Sequence, residues 1–462
     1  MNENRKGIIP YIAVFLAGVL ITAVAASLLT RQQPPVQTED SQVTSSQSFS
    51  PQSDPSQTDG SRSDSARSDA SQADAPGSEG TSTAARVPDT GAAAEAAEDT
   101  AGVGREIDYA AVFPSWNPDS ASLSELVDFV SDCTDETSAG YLAPADRIAA
   151  FDMDGTILCE KAPVYIDYCL TLYRVLDDPT YEATEEERTA MQEVREHASR
   201  GELYDPEGIN KNDLVATAFA GMTPGEFRSY VVDFADQTDV IGFEGMTYGQ
   251  SFYKPMLEVI EYLKANDFDV WMVSACEREV VRALVERYDI PYDHVIATDV
   301  PYSASGKGEE AVDEYNMGKE EEILLGAPVE EEECGKSGKP SAIAREIGKR
   351  PVLAFGNSSG DFSMLNYAEG NPDHEGMGFF IVCDDTEREY GSEEKAAGFY
   401  EEVEKEGWTP FSMANDWKTI YGEGVQKTGL PGIEEAQPGT EGTAPETEEV
   451  LPETEEALPD AA

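Results

Sequence analysis

Two aspartates two residues apart, Asp152 and Asp154, stand in the run Phe151-Asp-Met-Asp-Gly-Thr-Ile157, directly after the apolar stretch Ile148–Phe151. A carboxylate delivered by a strand can act as a nucleophile, and a second carboxylate beside it as general acid and base. Three other stretches carry polar groups in comparable settings. Val273-Ser274-Ala275 closes an apolar run, Gly338-Lys339-Pro340 opens a segment containing Ala342 and Ile343, and Gly356-Asn357-Ser-Ser-Gly-Asp361 follows Pro351–Phe355. Lys336 competes with Lys339 for a chemical role, and the apolar neighbours Ala342 and Ile343 favour Lys339. Other chemistries are poorly provided for. The three histidines (His197, His294, His374) are not paired at ligand spacing and no Cys-x-x-Cys occurs among the six cysteines, which argues against zinc hydrolysis, a histidine triad or a redox pair.

These residues need elements to hold them. Four short β-branched or aromatic runs read as buried strands: Ile148–Phe151, Val270–Val273, Pro351–Phe355 and Phe379–Cys383. Met256, Val259, Ile260 and Leu263, then Val280, Val281, Leu284 and Val285, recur at helical spacing, with Pro255 at a first helical position. Strands alternating with helices predict a Rossmann-like, parallel α/β sheet with ligands at the carboxyl ends of its strands. From Lys161 to Met246 no strand pattern is evident and Glu, Arg and Ala abound, so an inserted helical cap is expected.

The flanks differ in kind. Ile8 to Leu29 is a 22-residue apolar run preceded by Arg5 and Lys6, long enough to span a bilayer. It predicts an N-terminal transmembrane helix with the body exported, or a cleaved signal ending near Ala23-Val24-Ala25. From Arg31 to Arg105 the chain is rich in Ser, Asp, Ala, Thr and Pro, and after Thr428 it is rich in Glu, Pro and Thr; neither stretch can bury enough apolar surface to order itself. The whole chain, 462 residues with 91 acids against 32 bases, carries a formal charge of −59. Such a surface repels phosphate backbones and excludes nucleic acid as a partner.

The four polar stretches, in this order and each beside a strand or helix, resemble motifs I to IV of the haloacid dehalogenase-like superfamily: Asp152-Met-Asp-Gly-Thr156, Ser274, Lys339, and Asn357 with Asp361. The resemblance covers about residues 108 to 423. Pro114-Ser-Trp-Asn117, Gly155-Thr-Ile-Leu-Cys-Glu160, Gly221-Met-Thr223, Gly338-Lys-Pro340, Gly356-Asn-Ser358 and Thr386-Glu-Arg-Glu-Tyr390 are similar to an exported bacterial branch related to phosphoserine and phosphorylcholine phosphatases.

The resemblance implies a phosphomonoesterase. Asp152 would attack phosphorus and carry an aspartyl-phosphate, with Asp154 protonating the leaving oxygen and then activating water. Mg²⁺ would be held by Asp152, the Asp154 carbonyl, and Asn357 or Asp361. Ser274 and Lys339 would bind the phosphoryl oxygens. Glu160, eight residues after Asp152 where phosphoserine phosphatases place an ammonium-binding glutamate at nine, would meet the substrate and leaves the leaving group open. The expected organisation is an anchor or signal at 1–30, a disordered linker at 31–106, a core of 107–160 plus 247–425, a helical cap at 161–246 and a disordered acidic tail at 426–462. A small phosphomonoester is the expected partner, with the membrane engaged through the N-terminal helix. The alternatives are transfer to another small acceptor, or a surface interaction protein on an inherited fold.

Overall fold

The computed structural model describes residues 107–160, 164–204, 211–308, 310–327 and 334–432. The expected anchor, the linker and the tail from residue 433 lie outside the described residues. No helix among the described residues is long and apolar enough to cross a membrane.

The strands, in chain order, are β1 (Ile148–Phe151), β2 (Phe243–Glu244), β3 (Asp269–Glu277), β4 (Val295–Thr298), β5 (Tyr302–Ala304), β6 (Ile323–Leu325), β7 (Leu353–Gly356), β8 (Met377–Val382), β9 (Thr409–Ser412) and β10 (Gln426–Lys427). Six form one sheet in the order β4-β3-β1-β7-β8-β9, with every pair parallel. The larger helices are α1 (Ala121–Thr134), α2 (Ile166–Leu172), α3 (Glu185–Ala198), α4 (Lys211–Phe219), α5 (Pro224–Gln237), α6 (Lys254–Ala265), α7 (Arg278–Val285), α8 (Gly338–Glu346), α9 (Phe362–Glu369) and α10 (Glu393–Glu406).

The strands are almost wholly apolar because helices cover both faces. Ala149, Phe151, Phe355 and Phe379 join a core with side chains of α1, α6 and α7, whereas Ala150, Ala354 and Phe380 join one with α8, α9 and α10. Phe151, Phe355, Phe379 and Phe411 stack across β1, β7, β8 and β9 with ring centroids 4.1, 5.1 and 4.9 Å apart. Full burial of each ring is worth about 1.5–3 kcal/mol, so a register slip of β1 against β7 would be costly. With Phe151 opposite Phe355, Asp152 comes level with Gly356. The chain builds outward from β1 through β3 to β4, then returns to β7 on the other side. That reversal opens a crevice at the carboxyl ends of the central strands.

Three features depart from the sequence expectation. The strand expected at Val270–Val273 runs on to Glu277. Its pairing with β4 slips between Val273↔Ile296 and Glu277↔Thr298, so Ser274 lies in a bulge rather than at a strand end. Strands β4 and β9 have only four residues each, and Pro410 within β9 argues against a strand in sequence; it is tolerated because β9 is the sheet edge. Residues 426–432, expected in the disordered tail, instead pack on the body. Gln426–Lys427 pairs with Phe243–Glu244, and Leu430 is buried. The tail's overall polarity concealed one buried leucine and a backbone ladder.

The segment expected to be helical contains α2 to α5, with α3 and α5 begun by reciprocal capping boxes, Thr184 with Glu187 and Thr223 with Glu226.

Candidate active site

Asp152 is the first residue beyond β1, and its N–H donates to the Phe355 carbonyl at 3.0 Å. The Met153 carbonyl then accepts the N–H groups of Thr156, Ile157 and Leu158, and Gly155 N–H donates to Leu158 at 2.7 Å, which turns the chain back sharply. Gly155 has φ +80°, and a Cβ there would overlap the Asn357 amide. The turn thus needs glycine both for its left-handed backbone and for the approach of β7's loop.

Lys339 projects from the first turn of α8 and is only 2% exposed. Its ammonium donates to Asp152 Oδ1 and Asp361 Oδ1, each at 2.6 Å. Asp361 Oδ2 accepts the N–H groups of Asn357 and Ser358, at 3.1 and 3.0 Å, and the Ser358 hydroxyl at 3.1 Å. Both oxygens of Asp361 are therefore engaged in holding Lys339 and shaping the loop after β7. Burial alone would lower the Lys339 ammonium, but the two carboxylates overcome it and hold the group above its usual value. One ammonium shared by two buried carboxylates leaves a net negative charge. Burial, then the charge of Asp361, push Asp152 up to about 7 against the pull of Lys339.

The other oxygen of Asp152 faces a different set. Thr156 Oγ1 lies 3.2 Å from Asp152 Oδ2 and 3.1 Å from Asn357 Oδ1. That Asn357 position is 3.2 Å from Asp152 Oδ2 and 2.9 Å from the Asp154 carbonyl oxygen. Turned over, the amide would donate from nitrogen to the same oxygens. With oxygen there, it lies 3.2 and 2.9 Å from two other oxygens, an arrangement that a cation would relieve. Both distances are near the roughly 3 Å edge of an octahedron whose ligands lie about 2.1 Å from a small, hard ion. No group of three or more His, Cys, Asp or Glu among the described residues is arranged for a metal, so a cation here would rely on a carbonyl and an amide beside one carboxylate.

Asp152, the Asp154 backbone, Lys339, Asn357 and Asp361 are thus brought together. Ser274 is buried in the bulge of β3, where its hydroxyl accepts the Cys276 N–H at 3.1 Å. Glu160 accepts a longer hydrogen bond, 3.4 Å, from the hydroxyl of Tyr165. Burial, then the carboxylates of Glu160, Asp154, Asp167 and Asp152, push the Tyr165 phenol up, which places it among the acids beside the catalytic turn. Sequence reasoning did not single out Thr156 or Tyr165. Thr156 had a signal, since it follows the glycine of the carboxylate run; a lone tyrosine among 20 had none.

A parallel α/β sheet with a carboxylate, lysine and amide at the carboxyl ends of its central strands defines a class of enzyme folds rather than one reaction. Residues 149–366 match the family described as haloacid dehalogenase-like hydrolase. A comparison with curated proteins finds no significant match. Among solved structures, the chain is similar to a protein of unknown function from Bordetella pertussis Tohama I (17% identity, 57% of this chain and 97% of that one, TM-score 0.37). It is also similar to a functionally unknown protein from Anaerococcus prevotii DSM 20548 (13%, 63% and 91%, TM-score 0.41) and a phosphoserine phosphohydrolase-like protein from Francisella tularensis subsp. tularensis SCHU S4 (14%, 51% and 87%, TM-score 0.30).

Proposed function

We propose that the chain is a Mg²⁺-dependent phosphomonoesterase acting on a small phosphorylated metabolite through an aspartyl-phosphate on Asp152. The observation that carries this reading is the split environment of the Asp152 carboxylate: Oδ1 is held by Lys339, and Oδ2 lies 3.2 Å from the Asn357 amide, which also reaches the Asp154 carbonyl at 2.9 Å. A carboxylate pinned in this way loses little entropy on reaching an in-line phosphoryl group. Its oxygen forms the bond to phosphorus as the ester oxygen leaves. Asp154, two residues on, gives a proton to that oxygen and later takes one from the attacking water. Lys339, its charge maintained by two carboxylates, offsets negative charge on the transferring group. Asp152, the Asp154 carbonyl and Asn357 would hold Mg²⁺, which when bound supplies charge to screen a dianionic phosphate from the acids around it. Residues 161–246 act as a cap over this edge, and Glu160 with Tyr165 faces the leaving group.

Hydrolysis of p-nitrophenyl phosphate with Mg²⁺ by the full chain tests the reaction. Asp152→Asn is expected to abolish turnover with the fold intact, because an amide cannot form the acyl-phosphate; comparable rates would remove Asp152 as nucleophile. We further propose that the body lies outside the cytoplasm, supported by the Ile8–Leu29 run behind Arg5 and Lys6. Protease added to intact cells should then release an active fragment cut between Arg31 and Arg105, whereas protection until lysis would reverse the topology.

A further inference from the structure

The chain crosses between sheet and helical insertion twice, outward past Cys159 and Glu160 and back through residues 238–253. The two crossings are tied to each other: Cys159 N–H donates to Ser251 at 2.9 Å, and Leu158 bridges Phe252 on one side and Asp154 on the other. Any shift of the crossings is therefore passed to the catalytic turn.

One C-terminal segment reaches both. On the return crossing, β10 pairs antiparallel with β2, Lys427 opposite Phe243 and Gln426 opposite Glu244, and Thr428 N–H donates to Gly242 at 2.8 Å. Further along, Leu430 is 6% exposed, and Gly432 N–H donates to Ser199 at 2.8 Å, just past the end of α3 in the insertion. The outward crossing is reached through residues 386–390. The Lys427 ammonium donates to the carbonyls of Thr386 and Glu389, at 2.9 and 2.8 Å, and lies 4.5 Å from the centre of the Tyr390 ring. The Tyr390 hydroxyl in turn meets the carbonyls of Gly242 and Thr428. The Glu389 carboxylate is 1% exposed and accepts the Tyr421 hydroxyl and the Cys159 thiol. Burial pushes that carboxyl above its usual range.

We propose that Gln426–Gly432 is a clamp that holds both crossings to the core, so that the insertion moves away from the catalytic edge only when this segment releases. It has no side chain at the reacting atoms and acts by position alone. Nothing in its geometry depends on which reaction the site performs.

Cys159, 3% exposed beneath the clamp, is the reporter, and Cys133, 3% exposed in α1, is the control for general unfolding. The full chain and a chain ended after Gly424 are pulsed with a maleimide, and labelling at each cysteine is read by peptide mass spectrometry. Loss of several hydrogen bonds and a buried leucine should speed labelling of Cys159 roughly tenfold or more with Cys133 unchanged. Leu430→Ala and Lys427→Met, milder changes within the full chain, should each give a smaller rise at Cys159 and serve if the shortened chain does not fold. Equal Cys159 rates in the parent and both point variants would overturn the clamp. A rise at Cys133 in step with Cys159 in those variants would overturn it equally, since the segment would then stabilise the whole fold and not the crossings.

Discussion

Replacing Lys339 with methionine removes the ammonium that lies 2.6 Å from both Asp152 and Asp361. The two carboxylate side chains are only 9% and 1% exposed, so water cannot take over the role of the ammonium. Breaking a buried ion pair by removing one partner costs about 3–5 kcal/mol, because the surviving charge is left uncompensated. Here two charges survive, but Asp152 can escape by binding a proton. Asp152 already stands at about 7 in the folded chain, above the ordinary carboxylate range, and loss of the lysine raises it further. An acid whose folded pKa is raised leaves stability intact below its unfolded pKa and costs stability as pH rises toward the folded value. Lys339→Met should therefore lose about 3–5 kcal/mol at pH 8 and roughly half of that or less at pH 5. Urea midpoints at both pH values, with divalent metal chelated, measure this. Adding Asp361→Asn to the methionine variant removes one of the two anions and should restore much of the stability at pH 8 without restoring turnover. A loss under about 1 kcal/mol at pH 8, or an equal loss at both pH values, would refute the buried, charge-sharing trio.

Two further outcomes are expected. Asn357→Asp places a carboxylate beside Asp152 Oδ2 and the Asp154 carbonyl, and should tighten Mg²⁺ binding by about 1–2 kcal/mol at an effective dielectric near 20. Calorimetric Mg²⁺ titration of both proteins reads this directly, and unchanged or weaker binding would remove Asn357 from the ligand set. Glu277 is buried, caps α7 through the Val280 N–H at 2.8 Å, and has no hydrogen-bond partner for Oε1 among the described residues; burial pushes it up to about 8. Its raised pKa costs stability as pH rises from about 4.5 to 8, so Glu277→Gln should be the more stable protein at pH 9, by at most about 4–5 kcal/mol, and show no such gain at pH 5. A glutamine variant less stable than the parent at pH 9 would mean that the ionised carboxylate is compensated in the folded chain.

Much of this site could be read along the chain because its signals are local. Ile148–Phe151 is a strand at the expected bounds, and the residues after it turn on a glycine, the residue that takes a left-handed backbone at least cost. The helices of the 161–246 segment were likewise legible in its Glu, Arg and Ala residues and missing strand pattern, though the capping boxes at Thr184 and Thr223 were not read. The choice of Lys339 over Lys336 followed from Ala342 and Ile343, which do pack into the core beneath α8 while Lys339 turns to Asp152.

What escaped sequence reading depends on partners far apart in the chain. The hydrogen bonds of Asp361 to Lys339 and to the Asn357–Ser358 loop are set only when α8 packs against α9, β3 and β4. Ser274 lies in a bulge because β3 must absorb extra residues against β4, and a register between strands leaves no periodic mark on either one. The segment 426–432 is polar enough to pass for tail, and its place was decided by a ladder to Phe243–Glu244 and by Lys427 reaching the carbonyls of Thr386 and Glu389. Sequence by itself thus determined the residue types, the turn that presents Asp152 and the alternation that makes a parallel sheet, since each rests on contacts within a few residues. Closure of the sheet decided which oxygen of Asp152 meets the lysine 187 positions away and which faces the Asn357 amide, because burial and charge pairing act between surfaces that only the folded chain brings together.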